Sequence, residues 1–189
     1  MTKSILLVGV GGQGTILASK ILTTGLMEAG YDVKMSEIHG MSQRGGSVSS
    51  QVRYGDKVMS PVIEKGKADI IVSFEKMEAL RNLDYLKPDG VLVVNNEEIP
   101  SMSVITGEED YPEDVLDEIK AHVEARVVDA TRMAAELGNE KAANMILLGT
   151  IIKSMGLEEI HWEEILKDNI KPKFLELNKK ALKVGMEAV

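Results

Sequence analysis

Cysteine is absent from all 189 residues. The chain therefore carries no disulfide and no reactive thiol, and it lacks the thiolates that mainly hold iron–sulfur clusters. Any electron-transfer role has to be shared with another subunit. Aromatic residues are scarce, with two Phe, one Trp and four Tyr, so the core must be aliphatic, which suits a parallel sheet buried on both faces by helices. The three His are scattered, and no metal site can be argued from them. Acidic residues outnumber basic ones 30 to 22, for a net charge of −8; nucleic-acid binding needs a concentrated basic face, so a nucleic-acid partner is not expected. No apolar run approaches the ~20 residues that cross a bilayer, and the chain opens almost directly in a strand without a signal-type apolar region. No membrane role and a cytoplasmic location are expected. No Pro/Gly/Ser-rich stretch divides the sequence, which predicts one domain over residues 1–189. No nucleophile elbow, nucleotide P-loop or kinase set is present either, so the chain shows no catalytic machinery of its own.

What is present begins at the N-terminus. Ser4-Ile5-Leu6-Leu7-Val8 runs into Gly9-Val10-Gly11-Gly12-Gln13-Gly14 and then an amphipathic helix, the order strand, glycine turn, helix. Gly9, Gly11 and Gly14 satisfy the G-x-G-x-x-G spacing. Without Cβ atoms the backbone can approach a ligand closely, and the first N–H groups of the helix favour an anion. A phosphate-bearing ligand follows as the functional reading; tight strand–helix packing is the bland one. Glu37 ends the second predicted strand about twenty residues beyond the last glycine, where a dinucleotide's ribose would be held, so a stand-alone nicotinamide-type oxidoreductase stays open.

The coarse organisation is alternating. Ala18, Ile21, Leu22, Gly25, Leu26 and Ala29 recur on one helix face, and Gly30 is a natural stop. Strands are predicted at residues 31–37, 47–54, 68–74, 90–95 and 125–129, and a helix at about 75–83. Seven carboxylates between Glu108 and Glu118, unbalanced by any basic residue, surround a Tyr111-Pro112 break and read as a solvated surface helix. Residues 142–155 are apolar nearly all round and predict a buried helix. Two amphipathic helices, separated near Pro172, close the sequence. The fold class is α/β, a single-domain Rossmann-like doubly wound, mostly parallel sheet flanked by helices, with a C-terminal helical pair.

The segment Glu37-Ile38-His39-Gly40-Met41-Ser42-Gln43-Arg44-Gly45-Gly46 is longer and more polar than a ribose site requires. Arg44, flanked by glycines, can present its guanidinium fork to a phosphate or carboxylate; the alternative is a solvated loop whose Arg pairs with a neighbouring acid. His39 is the one candidate proton carrier, although a lone His without a paired carboxylate or nucleophile is usually structural. A docking module without any ligand is the third alternative.

Taken together, the glycine turn, Gln43-Arg44-Gly45-Gly46, Ser60-Pro61 with the following Ala68-Asp69-Ile70 strand, and Asn144-Met145-Ile146-Leu147-Leu148-Gly149 resemble the gamma subunit or gamma domain of the 2-oxoacid:ferredoxin oxidoreductases. The longer form from Glu37 to Gly46 is most similar to the branch formed by the beta subunits that act on indolepyruvate. The resemblance spans most of the chain and implies a single gamma-type domain over residues 1–189. It also implies an oxygen-sensitive complex in which a larger alpha subunit carries thiamine diphosphate and [4Fe-4S] clusters, converts an aryl 2-oxoacid and coenzyme A to acyl-CoA and CO2, and passes electrons to ferredoxin. In that setting Gly9, Gly11, Gly12, Gln13, Gly14, Arg44, Gly45 and Gly46 are expected to border the subunit interface and hold the phosphate end of coenzyme A, or to shape the entrance to thiamine. The wide apolar faces of the terminal helices are the alternative contribution to docking, and whether an isolated chain forms a homodimer through them stays open.

Overall fold

The computed structural model describes residues 1–39 and 46–189. Strand β1 (Lys3–Val10) is followed by helix α1 (Thr15–Glu28), β2 (Asp32–His39), β3 (Ser47–Gly55), β4 (Ala68–Ser73), α2 (Lys76–Arg81), a short 3₁₀ turn (Leu83–Tyr85) and β5 (Leu86–Asn95). Then come α3 (Met102–Ile105), α4 (Val115–His122), β6 (Ala125–Val128), α5 (Ala130–Glu136), a second 3₁₀ turn (Glu140–Ala142), α6 (Ala143–Met155), α7 (Trp162–Asn169) and α8 (Pro172–Glu187). The strands form one sheet in the order β2-β3-β1-β4-β5-β6. β1 pairs in parallel with β4, β4 with β5, and β5 with β6, whereas β3 is antiparallel to both β1 and β2. Only β3 runs against the rest, which is the mostly parallel α/β architecture expected.

Burial on both faces explains why these strands are continuous apolar runs instead of alternating ones. Ile5 and Leu7 of β1 point into a core completed by α1, α6, α7 and α8. Leu6 and Val8 point the other way, into a core completed by α2 and α4. In α6 every residue from Asn144 to Ile152 is buried. α6 crosses α8 where Gly149 and Gly185 remove the side chains: a Cβ at Gly149 would fall on the carbonyl oxygen of Leu182, and one at Gly185 on that of Ile146. Trp162 likewise packs against α1 at Gly25, with its indole N–H donated to the Leu157 carbonyl at 2.9 Å.

The terminal helices depart from their expected role. Their apolar faces, with Trp162, Ile165, Leu166, Ala181 and Leu182, are folded into the chain's own core, so these residues form no open docking or dimer surface. The acidic character of α7 and the basic character of α8 meet each other instead, as in the Lys179–Glu163 pair at 3.1 Å. The helix predicted at 75–83 stops at Arg81 and continues as the 3₁₀ turn, and β5 starts at Leu86 through an irregularity in its pairing with β4. The Ser60-Pro61 segment is held onto the sheet by Arg53, whose guanidinium donates to the carbonyls of Ser60 at 3.0 Å and Val62 at 3.2 Å. The seven carboxylates from Glu108 to Glu118 are all exposed. Among the described residues no helix is long and apolar enough to cross a membrane.

Candidate functional site at the glycine turn

From β1 the chain moves to one side of the sheet and from β4 to the other, so the boundary between these strands is the topological switch point, where open α/β sheets bind ligands outside their carboxyl ends. The glycine turn sits on that boundary. At Gly9 a Cβ would lie 2.9 Å from Cβ of Phe74 and 2.8 Å from Oε1 of Gln13, so the end of β1 fits closely under the end of β4. Gly12 has φ +108° and faces open space. Gly14 begins α1 in the left-handed region, φ +83°, and no side chain among the described residues caps the helix. The first N–H groups of α1 have no acceptor within the helix and remain donors at the crevice.

A run of side-chain amides ties the strand ends together. Gln13 Oε1 accepts from the Val10 N–H at 2.8 Å while its Nε2 donates to the Phe74 carbonyl at 2.8 Å. Asn95 Nδ2 donates to that same carbonyl at 3.1 Å, and its Oδ1 accepts from the Ala130 N–H at 2.9 Å. Both halves of the Gln13 amide are thus spent on the backbone, making it a strut across β1 and β4. From the helical side, Asn144 of α6 lies on Gly14 and donates a long 3.4 Å hydrogen bond to its carbonyl; a Cβ at Gly14 would stand 2.5 Å from Nδ2 of Asn144. The two sequence motifs meet in space, and each explains the residue chosen in the other. A crevice of about 450 Å³ opens here, lined by Gly12, Gly14, Thr131, Lys141 and Asn144 among others.

The second glycine-containing stretch reaches the same place through Gly46, whose carbonyl accepts from the Gly11 N–H at 2.8 Å. Arg44 and Gly45 lie outside the described residues. His39 is the exposed last residue of β2, paired with Val48. It is two strands removed from β1, roughly 10 Å at the usual strand spacing, and is not brought to the glycine turn. Glu37 is a correction: β3 occupies the position beside β1 that β2 would need for a ribose-binding carboxylate. The Glu37 carboxylate instead accepts from Ser19 Oγ of α1 at 3.3 Å.

A second cavity of about 290 Å³ lies on the other side of Val10 and contains a feature the sequence reading missed. Glu75 and Glu78 are each 1% exposed. Glu75 accepts from the Tyr111 hydroxyl at 2.5 Å, the Glu78 N–H at 2.9 Å and the Ile99 N–H at 3.3 Å. Glu78 accepts from Ser47 Oγ at 2.5 Å and Arg81 at 2.6 Å. Burial, followed by the hydrogen bond and charge of Glu75, pushes the Tyr111 phenol up, so it remains a proton donor. Every carboxylate oxygen is satisfied, as buried charge requires. The signal for Glu75 was its place directly after an apolar strand with Glu78 three residues on, a side chain able to cap the next helix. Ser47 follows Gly46, so Glu78 anchors one stem of the Arg44 segment. What the site offers chemically is binding, through backbone donors, a helix N-terminus, amides and one lysine.

A family model described as pyruvate ferredoxin/flavodoxin oxidoreductase matches residues 4–188. The chain is similar to the indolepyruvate oxidoreductase subunit IorB of Pyrococcus horikoshii, 40% identical over 98% of this chain and 95% of the relative. It is also similar to the 2-oxoglutarate synthase subunit KorC of Methanothermobacter thermautotrophicus, 32% identical over 99% of this chain and 95% of the relative. Its fold is that of a region of the 2-oxoglutarate:ferredoxin oxidoreductase from Magnetococcus marinus, with a TM-score of 0.76 and 22% identity, covering 99% of this chain and 31% of that one.

Proposed function

The chain belongs to the pyruvate ferredoxin/flavodoxin oxidoreductase family, and we propose that within it the chain is the small subunit of an oxidoreductase acting on indolepyruvate or another aryl 2-oxoacid. The observation that carries the substrate class is the 40% identity to an indolepyruvate oxidoreductase subunit, over nearly the full length of both, against 32% to a 2-oxoglutarate synthase subunit. In this reading the larger alpha subunit holds thiamine diphosphate and the [4Fe-4S] clusters. The 2-oxoacid loses CO2, its acyl group passes to coenzyme A, and two electrons leave through the clusters to ferredoxin. A chain without cysteine has no thiolate for such clusters and contributes a wall of the cleft as one gamma-type domain in the cytoplasm.

In that wall, the backbone at Gly12 and Gly14 and the first N–H groups of α1 hold the phosphate end of coenzyme A, while Gly9 and Gly11 let the turn fit closely against Phe74 and Gly46. Gln13 keeps the turn in shape, and Arg44, between Gln43 and Gly45-Gly46, supplies the guanidinium. The anion-suited helix start with no acidic residue in its first turn supports this assignment. The test is Arg44→Ala in the two-subunit enzyme. A charge-assisted hydrogen bond is worth about 1.5–3 kcal/mol, so KM for coenzyme A is expected to rise roughly 10- to 100-fold while KM for the 2-oxoacid stays put. An unchanged KM for coenzyme A would remove that contact from the account.

A further inference from the structure

Over the ridge formed by Leu17, Lys141 and Asn144, the glycine-turn crevice continues into a second groove of about 350 Å³ between the start of α6 and the α7–α8 junction. Its floor is apolar: Leu17, Ile170, Phe174 and Leu177 line it and remain partly exposed. Two asparagines face this floor. Asn144 is 5% and Asn178 is 9% exposed, and each donates through Nδ2 to a backbone carbonyl, of Gly14 and of Phe174 respectively. Neither Oδ1 accepts a hydrogen bond from any described residue, and neither is sealed from solvent. Both oxygens open onto the groove beside its apolar floor, where they can accept hydrogen bonds from a bound group. Lys141 and Lys171 stand on its rim, positive groups on a chain of net charge −8.

We propose that this groove docks an extended segment of the larger subunit, whose backbone N–H groups satisfy Asn144 and Asn178. An apolar side chain of that segment rests on Phe174 and Leu177, and a carboxylate meets the rim lysines. An extended peptide keeps backbone N–H groups free to donate, which the interior of a helix does not, and the rim charge favours an acidic neighbour. Because the groove shares Leu17, Lys141 and Asn144 with the crevice, the docked segment would form the far side of the proposed coenzyme site.

This inference rests on the chain being a subunit of such a complex, and the experiment separates the two. Affinity for the purified large subunit is measured for the wild type, for Phe174→Glu, for Asn178→Leu and for Met102→Glu on the distant, exposed α3, alongside hydrogen exchange of the wild type free and assembled. The expected result is at least a tenfold loss of affinity for Phe174→Glu and Asn178→Leu, none for Met102→Glu, and slowed exchange at residues 139–144 and 170–178 on assembly. A complex of undiminished affinity, or one without protection there, overturns the docking groove and leaves the subunit assignment standing. Protection of residues 170–178 by coenzyme A alone overturns it in favour of a small amide ligand. No complex at all removes the subunit assignment itself.

Discussion

Replacing Gly14 by Ala tests whether the glycine turn and α6 are one mechanical unit. Two costs add. A left-handed φ of +83° costs an L-residue about 1–2 kcal/mol, and forcing a methyl to within 2.5 Å of Asn144 Nδ2, 3.2 Å of its Cγ and 3.3 Å of its Cβ adds about 1–3 kcal/mol of overpacking. The more restricted unfolded chain returns about 0.4–1 kcal/mol. The net loss is about 3 kcal/mol, or roughly a 6–12 °C fall in Tm for a chain of this size. In an Asn144→Ala background the Nδ2 and Cγ contacts disappear, leaving the 3.3 Å contact to Cβ and a backbone cost of about 1 kcal/mol. A double-mutant cycle by urea unfolding should therefore give a coupling of about 2 kcal/mol. Additivity to within about 0.5 kcal/mol would refute the contact as the reason for glycine at this position.

Gly149→Ala gains about 1 kcal/mol of helix propensity but drives a methyl into the backbone of α8 at Leu182 and Met186; a net loss of about 2 kcal/mol in urea unfolding is expected, and a stabilised variant would contradict the close crossing. Gln13→Leu leaves the Val10 N–H without its 2.8 Å acceptor while Phe74 keeps Asn95, so about 2 kcal/mol should be lost, again read by urea midpoint. Asp69 lies at the opposite end of the sheet. Burial raises its carboxyl, but hydrogen bonds from Lys87, the Ser4 N–H and Lys3 outweigh that and hold it below the usual carboxylate range. Its stabilisation is therefore present above the ordinary carboxylate pKa and lost as pH falls through the depressed value. Asp69→Asn should cost about 1–2 kcal/mol at neutral pH and converge with the wild type as pH falls through the depressed value; a gap that persists in acid would contradict this.

The parallel core was legible because strands buried on both faces announce themselves as apolar runs, as at Ile70–Val72 and Leu92–Val94. α6 was legible for the same reason. Strand order was not, because nothing local distinguishes β3 returning beside β1 from β2 lying there, and that difference removed Glu37 from any ribose position. α3 and α5, of four and seven residues, were too short to show helical periodicity. The terminal helices showed their apolar faces but not what those faces cover, since amphipathicity gives a stripe and no partner. At the site, the glycines and Asn144 were visible as motifs, while their contact spans 130 positions and belongs to the fold alone. Glu75 and Glu78 were hidden because carboxylates are read as solvated until burial is seen.

The central claim, that this chain works only as part of a 2-oxoacid oxidoreductase, is tested most directly by anaerobic co-expression with the larger alpha subunit and an assay of ferredoxin or viologen reduction driven by indolepyruvate and coenzyme A. Reduction that needs both chains, both substrates and the assembled complex is the predicted result. An assembled complex inactive on every 2-oxoacid, or full activity of the large subunit without this chain, would contradict it.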